Sequence, residues 1–348
     1  SVGTSVLIAG KLGTLDHRKS VRRKEVNLSP LASSEYGDPL TFPMIEQILR
    51  CEVGGKTVTS ICLDPDSHTY LNDHSISGVP YFPGVMALEM MAETVSLCSN
   101  NGKVASFEDV EFGIPVKITR GTKEIRCTVE PTQHDGAEIA FSCAIESIAP
   151  GGLDQAITHH KAIAILRPSA GNEPIPDIVP EEEDGSRILA SADIYNRMFH
   201  GPRFQPLIGV VASIQNENGR GIEARVHGIE DIPNPELFNM GDGEEQPGLI
   251  AHPMLIESCF QAAGLTSMDT DGADSLPVGA RRIVLSGEIP DGSITVLSVR
   301  TGSSSDSSTL HDSVIRLDGA PVLKIDGLMM KPMAFLDVGE RPGLLDAE

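Results

Sequence analysis

Two almost unbroken apolar stretches, each opened by a proline, constrain the fold of this 348-residue chain more than anything else in it. The first runs from Gly84 to about Leu97, behind Pro83; the second starts at Pro253, in His252-Pro253-Met254-Leu255-Ile256-Glu257. Proline is tolerated at a helix start, where its missing N–H would have no intrahelical partner and its φ is already helical. In the first stretch Val85, Leu88, Ala92 and Val95 share one helical face, and Met86, Met90 and Leu97 cover much of the rest. A helix that apolar on every side must be enclosed by a sheet. Alternating segments surround each stretch: TVTSICLDP, EIRCTVEP, EIAFSCAIESI and KAIAILRP in the first half, ARVHGIE, ITVLSVR and APVLKIDGLMMKP in the second. They read as strands. The same plan therefore occurs twice. The expected class is α+β, an internal structural repeat of two curved antiparallel sheets, each wrapped around a buried central helix.

The boundaries follow from composition. Residues 168–184 open a stretch rich in proline, glycine and acid, which reads as an exposed linker between a first unit at 28–167 and a second at 185–336. Residues 1–27 read as an N-terminal linker with a basic run from Arg18 to Lys24, and 337–348 as a tail. The chain begins without Met and reads as a piece of something longer. A formal net charge of −22 argues against a nucleic-acid partner, since a polyanion would be repelled. No apolar run has the length of a membrane span. The six cysteines include no C-x-x-C pair and read as free thiols, which suits a reducing cytoplasm.

Three places carry chemistry. His74 precedes Gly78 and Pro83, and imidazole is the side chain best matched to acting as a base near neutrality. Gly78 and Gly84 permit tight backbone paths beside a ligand, and the helix start behind Pro83 presents N–H groups that can polarise a carbonyl. Glu257 lies in the first turns of the second helix, with Gln261 at i+4 on the same face. Aimed into an apolar cavity, its carboxyl would hold a proton at neutral pH and act as an acid. Third, His200-Gly201-Pro202-Arg203-Phe204 reads as a turn whose protruding aromatic side chain helps to wall a pocket. Glu89 and Glu93 read as a polar stripe at a helix edge, and no histidine spacing suggests a metal site.

Taken in order, these residues resemble the dehydratase domains of polyketide synthases and of polyunsaturated-fatty-acid-type synthases, over roughly residues 28–335. The motif H-x-x-x-G-x-x-x-x-P is complete in His74, Gly78 and Pro83. A Tyr-Gly-Pro-x-Phe motif appears with His200 in place of the tyrosine. A His-Pro motif followed by Asp and then Gln or His appears as His252, Pro253, Glu257 and Gln261, with glutamate for aspartate. Leu276, Pro277 and Arg281 roughly match a fourth, and VRRKEVNLSPL looks like the linker entering such a domain after a ketoreductase. The resemblance implies a double hotdog with a composite site: His74 from the first half and Glu257 from the second as catalytic residues, and Gly78, Pro83, Gly84, His200, Gly201, Pro202, Phe204 and Gln261 around the substrate. It implies loss of water from a β-hydroxyacyl thioester on acyl carrier protein. The phosphopantetheine arm would come from the carrier, with no cofactor or metal bound by this domain. Neighbouring synthase domains, with a ketoreductase upstream, and a second copy in a homodimer are the further partners it suggests. A double-bond isomerase or product template, and a non-catalytic carrier-docking domain, would use the same fold.

Overall fold

The computed structural model describes residues 42–52, 55–99, 102–132, 138–148, 156–168, 174–179, 182–184, 189–216, 219–228, 237–238, 248–287, 289, 291–304 and 307–333. The basic run, the N-terminal linker and the C-terminal tail read from the sequence lie outside these residues.

Twelve long strands and two long helices form two units of identical topology. The first unit contains β1 (Gln47–Cys51), β2 (Thr57–Leu63), the short helix α1 (Tyr70–Asp73), the central helix α2 (Gly84–Cys98), then β3 (Gly102–Phe112), β4 (Lys123–Thr132), β5 (Ile139–Ile148) and β6 (Ala156–Pro168). The second contains the short helix α3 (Ser191–Tyr195), β7 (Leu207–Asn216), β8 (Gly219–Val226), the central helix α4 (Pro253–Asp271), then β9 (Ser275–Leu285), β10 (Ile294–Ser303), β11 (Thr309–Leu317) and β12 (Ala320–Pro332). All belong to one antiparallel sheet, ordered β1-β2-β4-β5-β6-β3-β9-β12-β11-β10-β8-β7. Read outward from the centre, the two halves run 3-6-5-4-2-1 and 9-12-11-10-8-7. That is the same path twice, joined where β3 pairs antiparallel with β9 from Ser106↔Val284 to Glu111↔Gly279.

Each half packs against its own helix, α2 on β2 to β6 and α4 on β8 to β12. Every residue from Val85 to Val95 in α2 is buried, as is every residue from Pro253 to Ser267 in α4. Strand burial alternates as a half-buried sheet requires: in β4, Ile125, Cys127 and Val129 face the core. The two helices also touch each other, so the units share one core.

Two expectations change. Glu89 and Glu93 are not an edge stripe, because both are fully buried. The Glu89 carboxylate accepts the backbone N–H of Ile250 at 2.8 Å and of Ala251 at 2.7 Å, and Glu93 accepts that of Met44 at 2.8 Å. The acid-rich stretch between the units is also partly tied down. Glu182–Asp184 pairs with β7, and Arg316 reaches Asp177 at 3.0 Å and the carbonyl of Ile178 at 2.6 Å.

Candidate active site

His74 sits at the C-terminal end of α1, followed by a tight hairpin, Ser75–Ile76 against Val79–Pro80. Ser77 and Gly78 make its two-residue turn with φ of 52° and 75°. Gly78 supplies a left-handed conformation that a side chain would strain. The hairpin returns the chain so that the His74 Nδ1–H donates to the Tyr81 carbonyl at 2.9 Å. A carbonyl can only accept, so Nδ1 carries the proton and Nε2 keeps its lone pair. Burial, then the charge of His200, lowers the His74 imidazole from 6.5 to about 4, and it is neutral at pH 7. Pro83 caps α2 in an extended conformation and Gly84 is its first helical residue, with the Phe112 ring against it.

The second unit brings its residues to the same place. His200 forms an isolated antiparallel bridge with His74, and their ring centroids are 5.7 Å apart. Gly201 donates its N–H to the Asp73 carbonyl at 2.8 Å, and Arg203 donates to the Asp73 carboxylate from Nη1 at 2.8 Å and from its backbone at 3.2 Å. A Cβ on Gly201 would run into that carboxylate. Pro202–Phe204 is one 3₁₀ turn. Phe204 does not protrude; it is fully buried with its ring 5.2 Å from that of His74. Phe199 stacks on His200 at 4.1 Å.

From α4, Glu257 Oε1 lies 3.1 Å from His200 Nε2 and accepts the Gln261 amide at 3.0 Å. Gln261 also donates to the Phe204 carbonyl at 2.9 Å, and its own Oε1 accepts the Tyr195 hydroxyl at 2.9 Å. Tyr195 in turn accepts the backbone N–H of Leu207 at 2.8 Å. Burial raises the Tyr195 phenol and keeps it protonated, so each bond in this chain has one direction and the last donor points into Glu257. The expectation of a raised Glu257 is overturned. Burial alone would push its carboxyl up, but the bond and charge of His200, the field of His74 and the Gln261 amide outweigh it and hold it below the ordinary value. His252 adopts a left-handed φ of 50° before Pro253, and its Nε2–H donates to the Gly287 carbonyl at 3.0 Å, which sets the entry to α4.

Every site residue named from the sequence therefore belongs to this neighbourhood or to the turn and helix start that build it. Missed from sequence were Asp73, Arg203, Tyr195 and Tyr81. Only Asp73 carried a signal, as a carboxylate adjacent to His74; the roles of the others depend on contacts between distant segments.

Comparison with known families bears on this arrangement. Residues 43–144 match the model described as polyketide synthase dehydratase domain, and residues 173–334 match the one described as polyketide synthase dehydratase N-terminal domain. The chain belongs to the polyketide synthase dehydratase domains. Members of this family are hydro-lyases that remove water from β-hydroxyacyl thioesters. Solved structures agree on the fold. A trans-AT polyketide synthase dehydratase domain from Brevibacillus brevis is 16% identical with a TM-score of 0.62, the match covering 84% of this chain and 99% of that one. The dehydratase domain from the CurF module of curacin polyketide synthase is 15% identical with a TM-score of 0.62, over 84% and 99%. The dehydratase domain of PpsC from Mycobacterium tuberculosis is 20% identical with a TM-score of 0.61, over 84% and 98%. This dehydratase domain is a double hotdog, as the repeated topology of its two units requires.

Proposed function

We propose that this dehydratase domain is catalytically competent and acts on a β-hydroxyacyl chain tethered as a thioester to an acyl carrier protein. The observation that carries this is the pairing across the two units: a neutral His74 whose Nε2 keeps its lone pair stands beside a His200–Glu257 pair from the other unit. The thioester makes the α-proton removable, and His74 Nε2 takes it. Glu257 and the histidine bonded to it stand on the side of the leaving hydroxyl. The Gly84 N–H, first of α2, has no intrahelical partner and is the donor assigned to the developing enolate oxygen. Groups placed in this way each supply about 10²–10⁴-fold. The chemistry needs no metal or bound cofactor from this domain, because activation comes from the thioester and the arm from the carrier.

A cationic concavity supports the carrier as partner. In a chain of net charge −22, Lys117, Arg120, Lys123 and Arg126 line one hollow of about 360 Å³ together with a single carboxylate, Glu124, which pairs with Arg126 at 2.9 Å. The Lys117 ammonium lies 5.3 Å over the Tyr81 ring, and Tyr81 is the residue whose carbonyl orients His74. The phosphodiester of a phosphopantetheine arm is the anion such a hollow suits. A reductive domain that makes the β-hydroxyl would act immediately before this one. A reducing, cytoplasmic setting is supported by six free cysteines, of which Cys127, Cys143 and Cys259 are buried; among the described residues no helix is long and apolar enough to cross a membrane.

The test is mass spectrometry of a 3-hydroxyacyl carrier protein incubated with the chain. Loss of one water by the wild type, and at least about 100-fold slower loss by a folded His74→Ala variant, supports the reading. An unchanged mass with the wild type rejects dehydration. Near-wild-type turnover by folded His74→Ala rejects His74 as the base.

A further inference from the structure

We propose that the proton given to the leaving hydroxyl comes from Nδ1 of His200, and that Glu257 is the anion behind that histidine rather than the donor itself. The proposal rests on the dehydration reading and assigns its acid. Oε1 of Glu257 already receives two N–H groups, from His200 and from Gln261, and Gln261 is fixed in that direction by Tyr195. Hydrogen bonds of this kind favour the ionised carboxylate. A carboxylate holding Nε2–H of a histidine is the arrangement that lets the opposite ring nitrogen do proton transfer.

That opposite nitrogen is the second observation. His200 Nδ1 is buried, the whole side chain is only 9% exposed, and no protein group among the described residues bonds to it. An imidazole nitrogen left in this state costs free energy unless something bonds to it. The His200 ring is stacked at 4.1 Å by Phe199, and across the isolated bridge it meets the ring of His74, with centroids 5.7 Å apart. A pair of adjacent substrate carbons held between the two imidazoles would present one carbon to each, one losing a proton and the other losing hydroxide. The extra methylene of Glu257, relative to the aspartate of the family motif, carries its carboxyl roughly 1.5 Å further from the backbone, toward His200.

The step balances without any oxidant or reductant. At the start His74 is neutral, and in the proposed step both ring nitrogens of His200 carry protons, Nε2–H on the Glu257 carboxylate and Nδ1–H toward the leaving hydroxyl. The Cα–H bond breaks and its proton goes to His74 Nε2. The Cβ–O bond breaks, the oxygen takes the His200 Nδ1 proton and leaves as water, and the carbon–carbon double bond forms. His74 ends as imidazolium and His200 as neutral imidazole, and exchange with water restores both.

The experiment compares two leaving groups in the full chain. A β-hydroxyacyl thioester needs an acid, whereas a β-acetoxyacyl thioester expels acetate without one. His200→Phe should lose at least about 100-fold on the hydroxyl substrate and stay within a few-fold of wild type on the acetoxy substrate. His74→Ala should lose both. Glu257→Gln should show the same selectivity with a smaller loss, because an amide oxygen still accepts from Nε2. Equal loss of both substrates by a folded His200→Phe overturns the proposal in favour of a structural role, and so does full turnover of the hydroxyl substrate. A deeper selective loss in Glu257→Gln than in His200→Phe makes Glu257 the donor and also overturns it. A wild type that eliminates from neither substrate fails the dehydration reading itself, a result distinct from all of these.

Discussion

The Glu89 carboxylate, buried in the middle of α2, holds the backbone N–H of Ala251 at 2.7 Å, one residue before the left-handed His252 that opens α4. One unit thereby sets where the central helix of the other begins, and with it the height of Glu257 against His74. Glu89→Ala strands the buried N–H of Ala251, at a cost of about 1–3 kcal/mol, and that of the partly buried Ile250. The expected result is a clear drop in Tm together with loss of activity, and thermal unfolding of the purified variant checks it.

The same residue gives stability a pH dependence of unusual sign. Burial raises the Glu89 carboxyl from 4.5 to about 7. The folded state then binds more protons at Glu89 than the unfolded one between those values, so the stability this group contributes is fully present below about pH 4.5 and is lost as pH rises through about 7. Each unit of the shift corresponds to about 1.4 kcal/mol. Urea titrations of wild type and Glu89→Gln across this range should show a difference in slope confined to it. Parallel curves would mean that Glu89 is ionised throughout.

For catalysis the sign concerns His74. A base must be unprotonated, and burial holds this imidazole at about 4. The acidic limb of kcat/KM is therefore expected near pH 4 rather than near 6.5, falling about tenfold per pH unit below it. A limb near 6.5 that disappears in His74→Ala would show an imidazole far more solvated than this one.

Glu257→Asp tests the length of the acidic arm. Shortening it by one methylene withdraws the carboxyl by roughly 1.5 Å from a His200 nitrogen now 3.1 Å away. A misplacement near 1 Å costs about 10²-fold. The variant should fold with unchanged Tm and lose about that factor in kcat. A gain in activity would show that the native site is built for the shorter residue.

Carrier docking is tested by charge reversal at residues that touch no catalytic group. Lys117→Glu combined with Arg120→Glu removes half the cations of the hollow beside Tyr81. KM for carrier-tethered substrate should rise at least tenfold, and more at low salt, while a short thioester mimic is handled as before. Equal kinetics on the tethered substrate would place the carrier elsewhere.

The repeated plan, the two enclosed helices and the order His74, His200, Glu257, Gln261 were all legible in the amino-acid sequence, because each rests on short-range spacing. Periodicity over one helix or strand says which faces are apolar, and Pro83 and Pro253 mark where the helices start. Gly78 was legible for the same reason, since a two-residue turn needs its φ locally. The hydrogen-bond partners were not. Glu89 meets Ala251 across 162 residues of chain, and Arg203 meets Asp73 across 130. Glu89 and Glu93, spaced as a solvated pair on any helix, are buried because the segments that bond them arrive from elsewhere in the chain. The protonation of Glu257 was decided in the same way. The sequence shows a carboxyl in an apolar helix, for which burial alone predicts a raised value, while the opposing donors come from His200 and from a chain through Gln261, Tyr195 and Leu207. Local pattern determines which groups reach the core. Only the packing of distant segments decides what each meets there, and in a low-dielectric interior that meeting sets its charge.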